Sequence, residues 1–327
     1  MTSFVDYLYD ATCTLVREQH AVKSCRGNTN SRAVGFSGLA LGGWACDRFR
    51  SLDVVLTNGR LVTATATNEY SDLFTALKGG GSRFGIVTRY EVDAIHVGTA
   101  ADKTYWGGSI NYVGPTSAAV VKAIDALIYS NKDPNTVIVT VVTYSNVFAE
   151  FLAIPAVATN LGPLSYNEVS KVPSRAQAPG IGPRATNVYG GSTLYPGQGL
   201  FAKSYNNWLN FSTSFKDEVP TAALVITPVF QSQIDVSRAH GGTSFTPPNG
   251  SILPLGVTKI SQSLRAGLDR LYHEIPRSPG LPLYLNESED VQDALTTYSG
   301  YEKLKEIYRK YDPTRFNVRR MVGPNGL

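Results

Sequence analysis

Residues Thr75 to Val92 read TALKGGGSRFGIVTRYEV, which places four glycines in the seven positions from Gly79 to Gly85, between a helical pattern and a β-rich run. Glycine at this density marks a backbone that must take up positive φ or pass very close to a neighbour. The order is helix, glycines, strand, the reverse of the strand, glycines, helix order that a dinucleotide phosphate loop requires. The spacing also fails, because Gly79-x-Gly81 is followed by Ser82, Arg83 and Phe84 rather than by a third glycine at the right offset. On spacing alone the stretch reads as a glycine helix cap followed by a tight turn.

Working outward, SLDVVLTNGRLVTATAT from Ser51 sets Asn58-Gly59 between two β-branched runs, the pattern of a β-hairpin with a two-residue turn. Next, NEYSDLFTALKGGG offers Ser71 as N-cap, Asp72 in the first turn and Leu73, Phe74 and Leu77 at helical spacing, predicting a short helix stopped by glycine. From about Gly98 to Pro282, β-rich segments (NTVIVTVVTYS, TAALVITPVF) are interleaved with helical ones (SAAVVKAIDALIYS, ISQSLRAGLDRLYHEI) without strict alternation. That pattern predicts an α+β architecture rather than a doubly wound sheet. The Gly/Pro-rich stretches SRAQAPGIGPRATNVYGGSTLYPGQGL and SFTPPNGSILPLG read as loops. In the tail, PLYLNESEDVQD reads as a short strand and an acidic loop, and GYEKLKEIYRKYDPTRF as a final helix with Leu304, Ile307, Tyr308 and Tyr311 on one face. No internal repeat is visible.

Thirty basic and 26 acidic residues among 327 give a net charge of +4, with no run of like charges to suggest a nucleic-acid partner. The longest apolar-rich runs fall far short of the roughly 18 residues that a membrane helix needs, and the N-terminus carries Asp6, Asp10, Arg17 and Glu18 where a signal peptide would be apolar. Cys13, Cys25 and Cys46 are too few and too dispersed for a metal knuckle and read as reduced structural thiols. His96, His240 and His273 are isolated, so no metal is expected. Nucleophile-elbow, Walker and His-Glu-x-x-His segments are absent from the sequence. Asn210, Asn249 and Asn286 begin Asn-x-Ser acceptors, which say little about compartment. A small-molecule substrate is the expected partner.

Taken together, VGFSGLALGG, WACDRFRSLDVVLTNGRLVTATA, DLFTALKGGGSRFGIVTRYEV and the tail PLYLNESED…YEKLKEIYRKYDPTRFN resemble the berberine-bridge-enzyme-like branch of the FAD-linked oxidases. The resemblance runs from Val34 to about Asn317 and is firmest at both ends. It implies an FAD set between two α+β subdomains, facing a substrate domain built on a wide antiparallel sheet covered by helices. The implied divisions are an unassigned segment over 1–33, a partial FAD-binding domain over 34–98, a substrate domain over 99–280 and a returning C-terminal segment over 281–327.

By that resemblance the backbone at Gly81, Gly85, Ile86 and Val87 runs beside the cofactor, and Gly35, Gly38, Gly42 and Gly43 belong to the loop under the flavin ring and pyrophosphate. Tyr284 and Asn286 fit the family's Tyr-x-Asn-Tyr pattern, with tyrosine as base for a substrate hydroxyl and asparagine beside the ring. A tyrosine's ordinary pKa is about 10, so the role needs a partner. The pattern's second tyrosine is Glu287 here. Equally, Tyr284 reads as a half-buried strand residue and Asn286 as a turn former.

The sequence departs from the family pattern in two places. Met1 to Ala33 contains nothing like the R-S-G-G-H segment whose histidine bonds to the flavin, and the second attachment cysteine falls at Ser31. His20, in VREQHAVKS, lacks flanking glycines and reads as a helix-surface histidine. A short segment expected between Gly43 and Trp44 is also missing. The expectation is therefore non-covalent FAD and a chain truncated at its N-terminus. Two functions remain open: an FAD-dependent oxidoreductase taking hydride from a hydroxylated small molecule or sugar with oxygen as reoxidant, or an inactive remnant that no longer binds FAD tightly.

Overall fold

The computed structural model of the chain describes residues 13–14, 45–93, 95–96, 104–110, 116–130, 140–145, 159–165, 187–219, 221–226, 228–244, 253–258, 262–285, 288–320 and 327. Gly35, Gly38, Gly42, Gly43, Asn286 and Glu287 lie outside the described residues.

The first group of elements is β1 (Cys13–Thr14), β2 (Phe49–Val55), β3 (Leu61–Thr65), α1 (Ser71–Leu77), β4 (Ile86–Val92) and β5 (Ile95–His96). Strands β3, β2 and β4 form an antiparallel sheet in that order, and β1 pairs with β5. The hairpin expected at Asn58-Gly59 is present, but its turn is longer. Gly59 N–H donates to the Leu56 carbonyl and Leu56 N–H to the Arg60 carbonyl, both at 2.9 Å. Gly59 has φ +81°, while Thr57 and Asn58 are not among the positive-φ residues. A two-residue type I′ turn needs positive φ at both centres, so the loop is a three-residue turn with glycine as the bulge.

Helix α1 also starts one residue differently. Ser71 is its first residue, Tyr70 takes the cap position without a side-chain cap bond, and the Asn68 side chain organises the approach by accepting from the amides of Thr65 and Tyr70. Leu73, Phe74, Ala76 and Leu77 pack into a core with Leu52, Val54, Val62, Ala64 and Val87 of the sheet. Burying each large aliphatic contributes about 2 kcal/mol.

The second group comprises β6 (Thr104–Ile110), α2 (Ser117–Ser130), β7 (Thr140–Ser145), β8 (Thr159–Ser165), β9 (Asn187–Ser192), α3 (Leu200–Ser214), β10 (Thr221–Ile226), α4 (Gln231–Ala239), β11 (Leu253–Thr258) and α5 (Gln262–Glu274). An antiparallel sheet runs in the order β7-β10-β11-β9, and β6 pairs antiparallel with β8. Alternate residues of β10, namely Ala222, Leu224 and Ile226, share a core with Val121, Ile124, Phe201, Trp208, Leu264 and Leu268 of the covering helices. The mixed architecture expected from the sequence is what the chain adopts.

Two segments read as loops contain strands. β9 lies in the Gly/Pro-rich stretch, because Gly190 must be bare: a β-carbon there would lie 2.0 Å from Tyr272 Cε1 of α5. β11 contains Pro254, which faces Gly191 of β9 but lies one residue beyond the last pair with β10, Leu224 with Leu255. Its missing N–H therefore breaks no rung on the β10 side.

The tail carries α6 (Tyr301–Tyr311) and α7 (Phe316–Arg320). Leu304, Ile307 and Tyr308 are buried against α1 and the first sheet, and Tyr311 is half-buried. The expected final helix is thus followed by a shorter one after Pro313. Asp312 turns the chain between them, accepting from the amides of Phe316 and Asn317 at 2.8 Å each. The expected strand at PLYL does not form. Leu283 N–H donates to Thr297 Oγ1 and Thr193 Oγ1 to the Pro282 carbonyl, so side chains meet the backbone needs that a ladder would otherwise satisfy.

Candidate functional site

The glycine turn follows α1 directly and leads through a 3₁₀ turn at Gly81–Phe84 into β4. Gly79, Gly81 and Gly85 have φ of 104°, 82° and 138°, a region that side chains disfavour. Gly80 and Gly85 answer a second need. A β-carbon at Gly80 would lie 2.3 Å from the Ala76 carbonyl and 2.9 Å from Leu304 Cδ2, and one at Gly85 2.7 Å from the Val55 carbonyl. What crowds these two glycines is the protein itself, helix α6 on one side and β2 on the other.

Buried polar groups hold this turn in place. Lys78 donates to the His240 carbonyl at 3.1 Å and lies 3.7 Å from Asp47, which accepts from Ser237 at 3.0 Å. Arg83 donates to the Asn317 carbonyl at 2.6 Å, and Asn317 Nδ2 returns a bond to the Arg83 carbonyl at 2.7 Å. The two pairings fix both ends of the glycine run, one against α4 and one against α7.

Ile86 and Val87 point to opposite faces of β4. Val87 is in the core, while Ile86 is 56% exposed. In register across the sheet, Leu61, Val55 and Ile86 form an apolar row on the face away from α1 and α6. The rest of that face is polar: Arg89 bonds Asp53 and Glu91, Thr63 donates to Asp53 and Ser51 to Glu91. These bonds, Arg89 first, hold the Asp53 carboxyl below its usual range, and Ser51 then Arg89 do the same for Glu91.

Tyr284 is buried, 3% exposed, in the same core as Val87, Cys46 and Tyr298. The Tyr298 hydroxyl is pushed well above its ordinary value, mainly by burial. Ser288 Oγ donates to the Tyr284 carbonyl at 2.8 Å. The structure therefore brings Val87 and Tyr284 into one cluster and sets Gly81, Gly85 and Ile86 at the turn. A described groove of about 540 Å³ lies elsewhere, between the hairpin tip and α6, lined by Leu56, Arg60, Tyr70, Lys310 and Tyr311. It contains none of the candidate cofactor-binding or catalytic residues named from the sequence. Conversely, Asp47, Lys78 and Gln292 are organising residues that pattern reading passed over. The only available signal was a lysine set directly before three glycines. Among the described residues no group of His, Cys, Asp and Glu could hold a metal ion, and no helix is long and apolar enough to cross a membrane.

For a flat ring system, the described residues offer one fitting feature, the apolar row of Leu61, Val55 and Ile86; Gly81 and Gly85 beside it are themselves buried, Gly85 against β2. Cys46 is buried and takes part in no disulfide.

No family model matches the chain. Over 346 aligned residues it is 27% identical to an uncharacterized FAD-linked oxidoreductase of Arthroderma benhamiae, covering 89% of this chain and 67% of that protein. Over 101 residues it is 42% identical to the FAD-dependent monooxygenase tpcD of Cochliobolus heterostrophus, covering 28% of this chain and 18% of that protein. The chain thus spans about two thirds of one relative's length and under a fifth of the other's. Among solved structures, the carbohydrate oxidase from Microdochium nivale matches all of the chain and 76% of its own at a TM-score of 0.69 and 17% identity. A VAO-type flavoprotein from Myceliophthora thermophila C1 matches 95% of the chain and 63% of its own at a TM-score of 0.64 and 18% identity. The chain has the VAO-type flavoprotein fold and is similar in sequence to FAD-linked oxidoreductases.

Proposed function

We propose that the protein is an FAD-dependent oxidoreductase that oxidises a hydroxylated small molecule, with sugars as the leading class. The observation that carries this reading is the match to an FAD-linked oxidoreductase across 89% of the chain. The name of the structurally similar carbohydrate oxidase supports the substrate class. The inactive alternative is not favoured, since both relatives named above carry oxidoreductase names.

The residues would divide the work as follows. Gly81 and Gly85 would let the turn pack tightly and set the start of β4 beside the cofactor edge, and Gly35, Gly38, Gly42 and Gly43 would bring bare backbone to the pyrophosphate. Ile86, with Val55 and Leu61, provides an apolar wall that excludes water. FAD held there would supply a hydride acceptor for the substrate carbon that oxygen can reoxidise. Tyr284, after giving up its own phenolic proton to solvent or a partner, would take the substrate's hydroxyl proton as the phenolate, and Asn286 would orient the ring. Attachment would be non-covalent.

The test is an absorbance spectrum of the purified protein before and after acid precipitation, and again after adding FAD and dialysing. A retained yellow band released by acid supports the reading and licenses a screen of sugars and aryl alcohols for oxygen uptake. A colourless protein that fails to hold added FAD overturns it.

A further inference from the structure

The segment carrying Tyr284 is tied at both ends to the close of β9, at Gly191 and at Thr193 just beyond the strand. At one foot Thr193 Oγ1 donates to the Pro282 carbonyl. At the other, Gln292 pairs with Gly191 in the manner of a peptide unit: Gly191 N–H donates to Gln292 Oε1 at 2.8 Å and Gln292 Nε2 donates to the Gly191 carbonyl at 2.9 Å. Gly191 and Thr193 are two residues apart at the end of β9, a strand whose ladder partner is β11. Gly191 directs both of its backbone groups away from that ladder, so a side-chain amide continues the sheet where a strand would otherwise add.

Glu289 reinforces the second foot. Its N–H donates to Gln292 Oε1 at 3.2 Å, its carbonyl accepts from Gln292 N–H at 2.9 Å, and its carboxylate pairs with Arg265 of α5 at 2.5 Å. Tyr272, two turns further along α5 and packed over Gly190, has its hydroxyl raised above the ordinary value by burial and by the Glu289 charge. The Arg265 and Tyr272 side chains thus meet the tail segment where it meets β9.

We infer that Gln292 is a positioning residue, which anchors the segment behind Ser288 and Tyr284 to β9 by copying a missing strand, with Glu289 and Arg265 holding the amide in plane. The inference rests on the proposed role of Tyr284 for its consequence in catalysis, but its geometry stands without it. An amide is required because a peptide-like partner must donate and accept at once. A carboxylate of the same shape loses the donor and faces the Gly191 carbonyl with like polarity.

The experiment compares Gln292→Glu and the similarly sized Gln292→Met with the parent and with Glu302→Gln, a control on the exposed face of α6. Two readouts need no flavin: the fluorine spectrum of 3-fluorotyrosine placed at position 284, and amide exchange over residues 281–292. The expected result is a shifted or broadened fluorine line and exchange faster by about tenfold or more in both Gln292 variants, while α5 and β10 exchange as in the parent. If the parent oxidises a substrate, kcat falls by about tenfold or more with KM nearly unchanged. Unchanged fluorine and exchange in both variants overturns the inference. A parent without oxidase activity that still shows the fluorine and exchange changes overturns the catalytic reading of Tyr284 and leaves the positioning role standing.

Discussion

Lys78 and Asp47 form an ion pair at 3.7 Å with side-chain exposures of 7% and 0%, and both are hydrogen-bonded to α4, at the His240 carbonyl and at Ser237. Removing one charge would strand the other in the interior. Lys78→Met and Asp47→Leu are therefore each expected to cost about 3–5 kcal/mol, while the double variant Lys78→Met/Asp47→Leu recovers much of the loss. Urea unfolding of the four proteins checks this as a double-mutant cycle; purely additive losses would show that the pair acts as two independent hydrogen bonds.

Two glycines make a contrasting pair. A β-carbon at Gly80 meets the Ala76 carbonyl, which cannot move without breaking α1, whereas at Gly59 nothing lies within 4 Å and only the φ of +81° is unfavourable. Gly59→Ala is expected to cost about 1 kcal/mol, and Gly80→Ala about 3 kcal/mol or more. Thermal denaturation gives the order, and the reverse order would mean the glycine turn is not close-packed.

Acid should unfasten the α6–α7 corner. Burial raises the Asp312 carboxyl, but bonds from Tyr308 and from the amides of Asn317 and Phe316 outweigh it and lower the value overall. Asp72 behaves alike: burial opposes, and Lys310 and Tyr311 prevail. A lowered folded value means stability that is present above the unfolded value of about 4 and is lost as pH falls through the folded one. Urea midpoints between pH 6 and 2 should fall, and Asp312→Asn should flatten part of that fall. At the other extreme, burial and then Asp312 push Tyr308 up to about 12. Its contribution is complete below the unfolded value of about 10 and is lost as pH rises toward 12.

Ile86 separates binding from folding. At 56% exposed, its replacement by Asp should leave stability within about 0.5 kcal/mol. If the apolar row is the cofactor wall, flavin affinity should fall by about tenfold or more, equal to about 1.4 kcal/mol. Flavin fluorescence titration decides the matter, and equal affinity would move the cofactor off this face.

How much of this could be read beforehand depended on whether the deciding interaction was local. Helix α2 coincides with SAAVVKAIDALIYS because its apolar spacing and its end at Ser130 lie within the segment itself. Strands β9 and β11 escaped because Gly190 and Pro254 are turn formers by composition, and only the Tyr272 ring and the end of the β10 ladder explain them. PLYL failed in the opposite sense: it has strand composition, but its backbone bonds go to Thr193 and Thr297. At the site, the glycines at 79–85 were visible as a backbone requirement. Spacing could not tell a ligand from the protein's own strand and helix as the thing approached. The Asp47–Lys78 pair was invisible, since its partners on α4 lie about 160–190 positions away.

Those long separations bear on how the chain is made. Lys78 meets His240, Arg83 meets Asn317, and Thr57 and Asp72 meet α6, each across 162 to 254 residues. During synthesis from the N-terminus, the first sheet and α1 are complete long before α6 exists to cover them. Contacts of such span make folding slow and leave apolar surface waiting for the last segment to arrive. A ribosome-tethered chain stopped before Tyr301 should therefore occupy chaperones, while release of the tail should free them.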